Sequence, residues 1–140
     1  MTVSRHKLCI YAKGDSYERL HTMVGLVSTA ASMDWEAHVY MTYGVLWRYC
    51  HQSLGEAEVQ IATPEIKKAY ERGIDAGRIP DLDEFFEEAR ELGGERVRIY
   101  ACTTSIKLLH IEPKLLENFD GMLGHASFLQ IAADGQLVVT

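Results

Sequence analysis

The chain has only three cysteines, at positions 9, 50 and 102, and no two of them stand in a CxxC spacing. The odd count and wide separation exclude a disulfide framework and a zinc-type ligand set. Free thiols in a reducing, cytoplasmic compartment are therefore expected. The six histidines form no HxxxH or HxH pair, so a metal site has no support in the sequence. Clusters of Lys and Arg are also missing. With a formal net charge of −6, that argues against a nucleic-acid partner or an anionic membrane surface. Uncharged runs such as Thr22 to Met33 fall short of the roughly 20 apolar residues that cross a bilayer. Met1 to Lys7 lacks an apolar signal core, and the chain carries no internal repeat, linker or low-complexity tract.

What is present is a strand–helix alternation. At 140 residues, 47% hydrophobic and 24% charged, the chain suits one domain over 1–140 with a core that needs no disulfide or metal. Leu8 to Ala12 is a continuous apolar run of strand length, typical of a parallel strand buried on both faces. Asp15 and Glu18 make a D-x-x-E pair, so a helix is expected from near Ser16, with Leu20, Met23, Val24, Val27 and Ala31 as its buried stripe. Trp35 to Met41 reads as a second strand, and the segment from Thr42 to Cys50 leads into a short helix.

Thr63-Pro64-Glu65 starts a helix that continues through Ile66, Ala69, Tyr70 and Ile74 to Gly77. Asp81 and Glu84 open another, with Leu82, Phe85, Phe86, Ala89 and Leu92 on one face and Gly93-Gly94 at its end. After position 102 come two helical turns to His110, a short helix from Pro113 to Leu116 and a short strand at Met122-Leu123. A last helix over Ala126 to Ala133 and an edge strand at Leu137 to Val139 follow. This order predicts a three-layer α/β/α sandwich with a mainly parallel sheet of about five strands and right-handed crossovers.

The segment that carries chemistry is Val97-Arg98-Ile99-Tyr100-Ala101-Cys102-Thr103-Thr104-Ser105. A short buried strand ends in Cys102, and Thr103, Thr104 and Ser105 then supply helix-capping hydroxyls. In an open α/β sheet the carboxyl end of a strand is where ligands bind. Amide and hydroxyl donors at a helix start favour thiolate. Position alone fits an inert packed thiol as well as a reactive one.

Cys50, flanked by Tyr49 and His51, is the second candidate thiol, against a packing role on Leu46 and Trp47. Cys9 reads as buried filler. His110 and His125 are candidate proton partners of Cys102, each also readable as a solvent-facing or capping residue. Lys107 would add positive potential or simply be solvated. Gly14-Asp15 is a poor phosphate loop, because Asp15 and Glu18 put negative charge where phosphate would sit.

Tyr100 to Ser105, followed by Leu108-Leu109-His110-Ile111, the pair Leu115-Leu116 and then Gly121 and Gly124, resembles the active-site region of the DsrE/DsrF-like sulfur-relay family. Leu8 to Asp15, Val39 to Val45 and the Leu82 to Gly94 helix are similar to the corresponding parts of that family. The resemblance implies an α/β/α fold, assembly into homo-oligomers (trimers or hexamers), and a single cysteine that carries sulfur as a persulfide. That cysteine maps onto Cys102. It also implies sulfur-donor and sulfur-acceptor proteins as partners, a TusA-like carrier among them, and no cofactor. Two residues depart from the family's pattern: His110 stands where glycine is common, and His125 where small or β-branched residues are usual.

The leading expectation is thus a sulfurtransferase-like sulfur carrier working through thiol exchange at Cys102. A small-molecule or nucleotide-binding module at the same sheet edge, or a non-catalytic subunit of an assembly, are the alternatives. The cluster Trp35, Tyr40, Tyr43, Trp47 and Tyr49 gives separate grounds for oligomerisation, as more aromatic area than a small domain usually buries.

Overall fold

The computed structural model describes residues 6–140; the first five residues of the Met1 to Lys7 segment read for a signal core lie outside the described residues. Five strands form one sheet: β1 (Lys7–Ala12), β2 (Glu36–Met41), β3 (Val97–Cys102), β4 (Gly121–Leu123) and β5 (Gln136–Val139). Six α-helices accompany them: α1 (Tyr17–Ser32), α2 (Tyr43–Cys50), α3 (Pro64–Asp75), α4 (Leu82–Gly93), α5 (Thr103–Leu109) and α6 (His125–Ala132). The strand order is β4-β3-β2-β1-β5 and every pairing is parallel, so the α/β sandwich expected from the alternation is the fold, with a wholly parallel sheet.

This order decides which face each helix covers. The chain steps one strand sideways at each of its first three crossovers, then returns across the sheet to lay β5 beside β1. Right-handed crossovers put the helices of the outward steps on one face and α6 on the other. The two cores agree. Leu20, Met23, Val24, Val27, Leu82 and Phe86 of α1 and α4 pack with Ile10, Val39 and Ile99. On the opposite face Phe128 and Ala132 of α6 pack with Cys9, Tyr40, Tyr100 and Cys102. Period-2 alternation along each strand sorts its side chains between the two faces.

Local chemistry explains most boundaries. Asp81 caps α4 by accepting the Glu84 N–H at 3.1 Å, as the D-x-x-E pattern predicts. The same pattern at Asp15 does not form a capping box. Ser16 takes the cap position without a side-chain cap bond, and Glu18 accepts instead from the Ser16 hydroxyl at 2.7 Å and the Gln60 N–H at 2.8 Å. A neighbouring loop thus competes for the carboxylate. Those bonds also fill the loop beside Gly14 with a carboxylate. Leu92, expected on the buried face of α4, is 56% exposed, and Ile66 and Ala69 of α3 also face outward, Ile66 at 54%. Trp35 lies just before β2, and the last helix begins one residue earlier than its apolar pattern, at His125.

Gly93 lets α4 approach its neighbours. A Cβ there would stand 2.3 Å from Val97 Cγ2 and 3.3 Å from Ala31 Cβ. A Gly93→Ala protein is expected to lose about 1–3 kcal/mol of stability through overpacking, despite the better helix propensity of alanine. Chemical denaturation checks this, and an unchanged or raised midpoint would show that the β3 end yields freely.

Candidate functional site

Cys102 is the last residue of β3 and the N-cap of α5, the position its sequence context predicts. It pairs in register with Leu123 of β4 and points to the face covered by α6, in a cluster with Tyr40, Phe128 and Leu123. The thiol is 2% exposed, so it lies beneath the surface of the strand end rather than open to solvent. Strand alternation aims it at the α6 layer, on the opposite face from α1 and α4.

Burial opposes thiolate formation, because a charged sulfur loses solvation. It is the largest influence on Cys102, yet the net effect holds its pKa below the ordinary thiol value. Hydrogen bonds from the Ser105 and Tyr40 hydroxyls and from the backbone N–H groups of Ser105 and Thr104 outweigh it. The other two thiols lack such donors. Burial pushes Cys9 and Cys50 up to about 11, which leaves both neutral at physiological pH.

The three hydroxyl residues after Cys102 play different parts. Ser105 is fully buried and its oxygen accepts the Tyr43 N–H at 2.9 Å. Thr104 is exposed and acts through its amide, and Thr103 lies beside Gly124. Lys107 is exposed in the last turn of α5.

Tyrosines that sequence reasoning did not assign to the site surround the sulfur. Tyr11 and Tyr40 are register partners on β1 and β2, with ring centroids 5.4 Å apart in an edge-on arrangement. The Tyr40 hydroxyl has one proton and two acceptors, the Leu123 carbonyl at 3.0 Å and the Cys102 sulfur. The carbonyl holds it while the thiol is neutral, and ionised sulfur competes for it. Burial, with Cys102 beside it, raises the Tyr40 phenol far enough that it stays protonated. Tyr11 is also raised, first by burial and then by the neighbouring Tyr43 and Cys102.

The two candidate histidines separate. His125, the first residue of α6, is hydrogen-bonded through Nε2 to the Tyr11 hydroxyl at 2.8 Å and lies edge-on to Tyr40 at 6.0 Å. It reaches Cys102 only through these tyrosines. His110 ends α5 with φ of 52°, the left-handed region where glycine is favoured, and sits a full helix away from the N-cap thiol. It is not brought to the site.

Cys50 is not brought there either. It ends α2, its thiol meeting the Leu115 carbonyl at 3.8 Å, and packs with the core on the other sheet face. It lines a cleft of about 490 Å³ with Tyr49, Asp83, Glu87 and Lys114. Of the aromatic cluster, Tyr40 is buried and Trp35 and Tyr49 are half-buried, while Tyr43 and Trp47 are 43% and 44% exposed.

A second polar chain crosses the α6 face. The Tyr100 hydroxyl and His38 Nδ1 are hydrogen-bonded at 2.8 Å, and His38 Nε2 meets Glu36 at 3.1 Å. It points along the sheet away from Cys102 and satisfies buried polar atoms. Among the described residues, no three His, Cys, Asp or Glu side chains are grouped to hold a metal ion, and no helix is long and apolar enough to cross a membrane. No protein-family model matches the chain, and no curated protein matches it.

Proposed function

We propose that this protein is a sulfur carrier that holds sulfane sulfur as a persulfide on Cys102 and hands it to a partner thiol. The carrying observation is that one thiol of three is favoured as thiolate despite burial, by donors from β2, α5 and the α5 backbone. The resemblance of Tyr100 to Ser105 to the DsrE/DsrF-like sulfur-relay family supports the same reading.

The chemistry needs only thiols. The Cys102 thiolate attacks the terminal sulfur of a donor persulfide RS–SH, a new S–S bond forms, and the donor's S–S bond breaks. RS⁻ leaves with the electron pair, and Cys102 is left as S–SH. In the second half a partner thiolate attacks that terminal sulfur and Cys102 departs as thiolate. No net oxidation occurs. The donors that favour the resting thiolate also favour it as the leaving group. Burial limits over-oxidation.

Wild-type protein incubated with a low-molecular-weight persulfide is expected to gain the mass of one sulfur atom, mapped to the Cys102 peptide, and to lose it to an added acceptor thiol. Cys102→Ser protein should stay unmodified, and Cys50→Ser protein should load normally. Wild type that remains bare, or sulfur that maps to Cys50, rules the reading out.

A further inference from the structure

Tyr43 opens α2 with φ of 46°, a left-handed conformation that an L-residue adopts only when its surroundings impose it. Its side chain does not explain this, being 43% exposed. Its backbone does. As the first residue of a helix it has an N–H with no intrahelical partner. That N–H donates to Ser105 Oγ at 2.9 Å, across to a different helix. Ser105, on α5, therefore caps α2.

The consequence falls on the Ser105 proton. A hydroxyl has one proton and two lone pairs. With the Tyr43 N–H directed onto the oxygen, the proton must point elsewhere. The acceptor nearest by placement is the sulfur of Cys102: it is the N-cap of α5 and Ser105 the third residue of that helix, the two positions whose side chains a capping arrangement brings together, and the hydroxyl is fully buried there.

The residue after Tyr43 lies close against the β1–α1 loop: a Cβ on Gly44 would stand 2.1 Å from Asp15 Oδ2.

We infer that the backbone N–H of Tyr43 is a positioning group, which orients the Ser105 hydroxyl so that its proton is given to the Cys102 sulfur. The inference rests on Cys102 working as a thiolate, as the carrier reading requires. It assigns Tyr43 a role through its backbone conformation, independent of its phenol. Only residues that tolerate a left-handed φ should then sustain the site.

The test is the pH dependence of iodoacetamide alkylation at Cys102, followed by peptide mapping, in wild type and four variants. Ser105→Ala should raise the midpoint by about one to two pH units, the range expected for losing one hydrogen bond to a charged group. Tyr43→Gly keeps the N–H and suits the left-handed turn, so its midpoint should stay at the wild-type value. Tyr43→Val resists that turn and should shift upward like Ser105→Ala. The Tyr43→Val/Ser105→Ala double variant should shift no further than Ser105→Ala alone, since both act on one bond. Equal shifts in the Gly and Val variants would overturn the inference, because the phenol would then be the active part. So would a low wild-type midpoint that none of the variants moves. A wild-type midpoint at the ordinary thiol value would instead overturn the thiolate reading itself.

Discussion

Truncation of Phe128 to alanine is expected to cost about 3–5 kcal/mol of folding free energy and to speed alkylation of Cys102. The size follows from how little holds that layer. Among the described residues α6 is the one α-helix on its face of the sheet, and Phe128 and Ala132 are its buried residues. Phe128 is 1% exposed, stacks on Tyr40 at 4.6 Å and meets Tyr11 edge-on at 6.1 Å. Alanine would remove the ring that both covers the sulfur cluster and sets the Tyr40 plane. Leu129, its neighbour, is 56% exposed, so Leu129→Ala should stay within about 0.5 kcal/mol of wild type. Guanidinium denaturation gives the first quantity and iodoacetamide kinetics the second. A Phe128→Ala loss near that of Leu129→Ala would mean that α6 is held by something other than its ring.

That dependence on α6 also marks where sequence reading stops. Leu8 to Ala12 and the stripe of α1 were legible because burial on two faces and helical periodicity leave one-dimensional traces. Cys102 was legible for a related reason: a β-rich run followed by capping hydroxyls locates a strand end and a helix start. Tyr40 was not. Its value comes from register, which sets it beside Tyr11 on one strand and Tyr100 on another. Register between parallel strands separated by long crossovers is fixed by packing of the whole sheet. One local signal existed: Tyr11 and Tyr40 each stand one residue before the end of their strand and Tyr100 two, and strand alternation places register partners on one face. The aromatic cluster was read for its total area instead.

The sequence could not separate the three thiols by their surroundings, although it could rank their positions. Cys50 looked like a second relay thiol because Tyr49 and His51 flank it in the chain. On a helix adjacent residues point in different directions. His51 accordingly turns back to the Trp47 carbonyl at 2.7 Å and stacks on the Trp47 ring at 4.3 Å, while Tyr49 bonds to Glu87 at 3.2 Å and Arg90 at 2.6 Å. Neither serves the sulfur. His125 shows the reverse: a residue distant in sequence from Tyr11 joins it because α6 starts where β1 ends.

Removal of one oxygen atom should then separate a packing role for Tyr40 from a chemical one. In Tyr40→Phe the ring keeps its place against Phe128, so core volume is conserved, and only the hydroxyl shared by Leu123 and Cys102 is lost. Burial continues to push the Cys102 thiol up, with one lowering influence withdrawn, so the sign is fixed: its pKa rises. A hydrogen bond to a charged group is worth about 1.5–3 kcal/mol, which corresponds to roughly one to two pH units. The thiolate fraction measured below the wild-type midpoint, and with it the rate of persulfide loading there at saturating donor, should fall about tenfold or more.

Stability should carry the same signature. In wild type Cys102 titrates lower folded than unfolded, so its contribution is fully present above the ordinary thiol pKa and is lost as pH falls through the lowered folded value. Tyr40→Phe should shrink that pH-dependent difference, while the unpaired Leu123 carbonyl costs a further amount of about 1–3 kcal/mol at every pH. Denaturation midpoints across neutral to alkaline pH, set beside the alkylation profile, resolve the two parts. A loss of stability that is flat with pH, together with a wild-type alkylation profile, would leave Tyr40 a packing residue and return the sulfur's ionisation to Ser105 and the α5 amides.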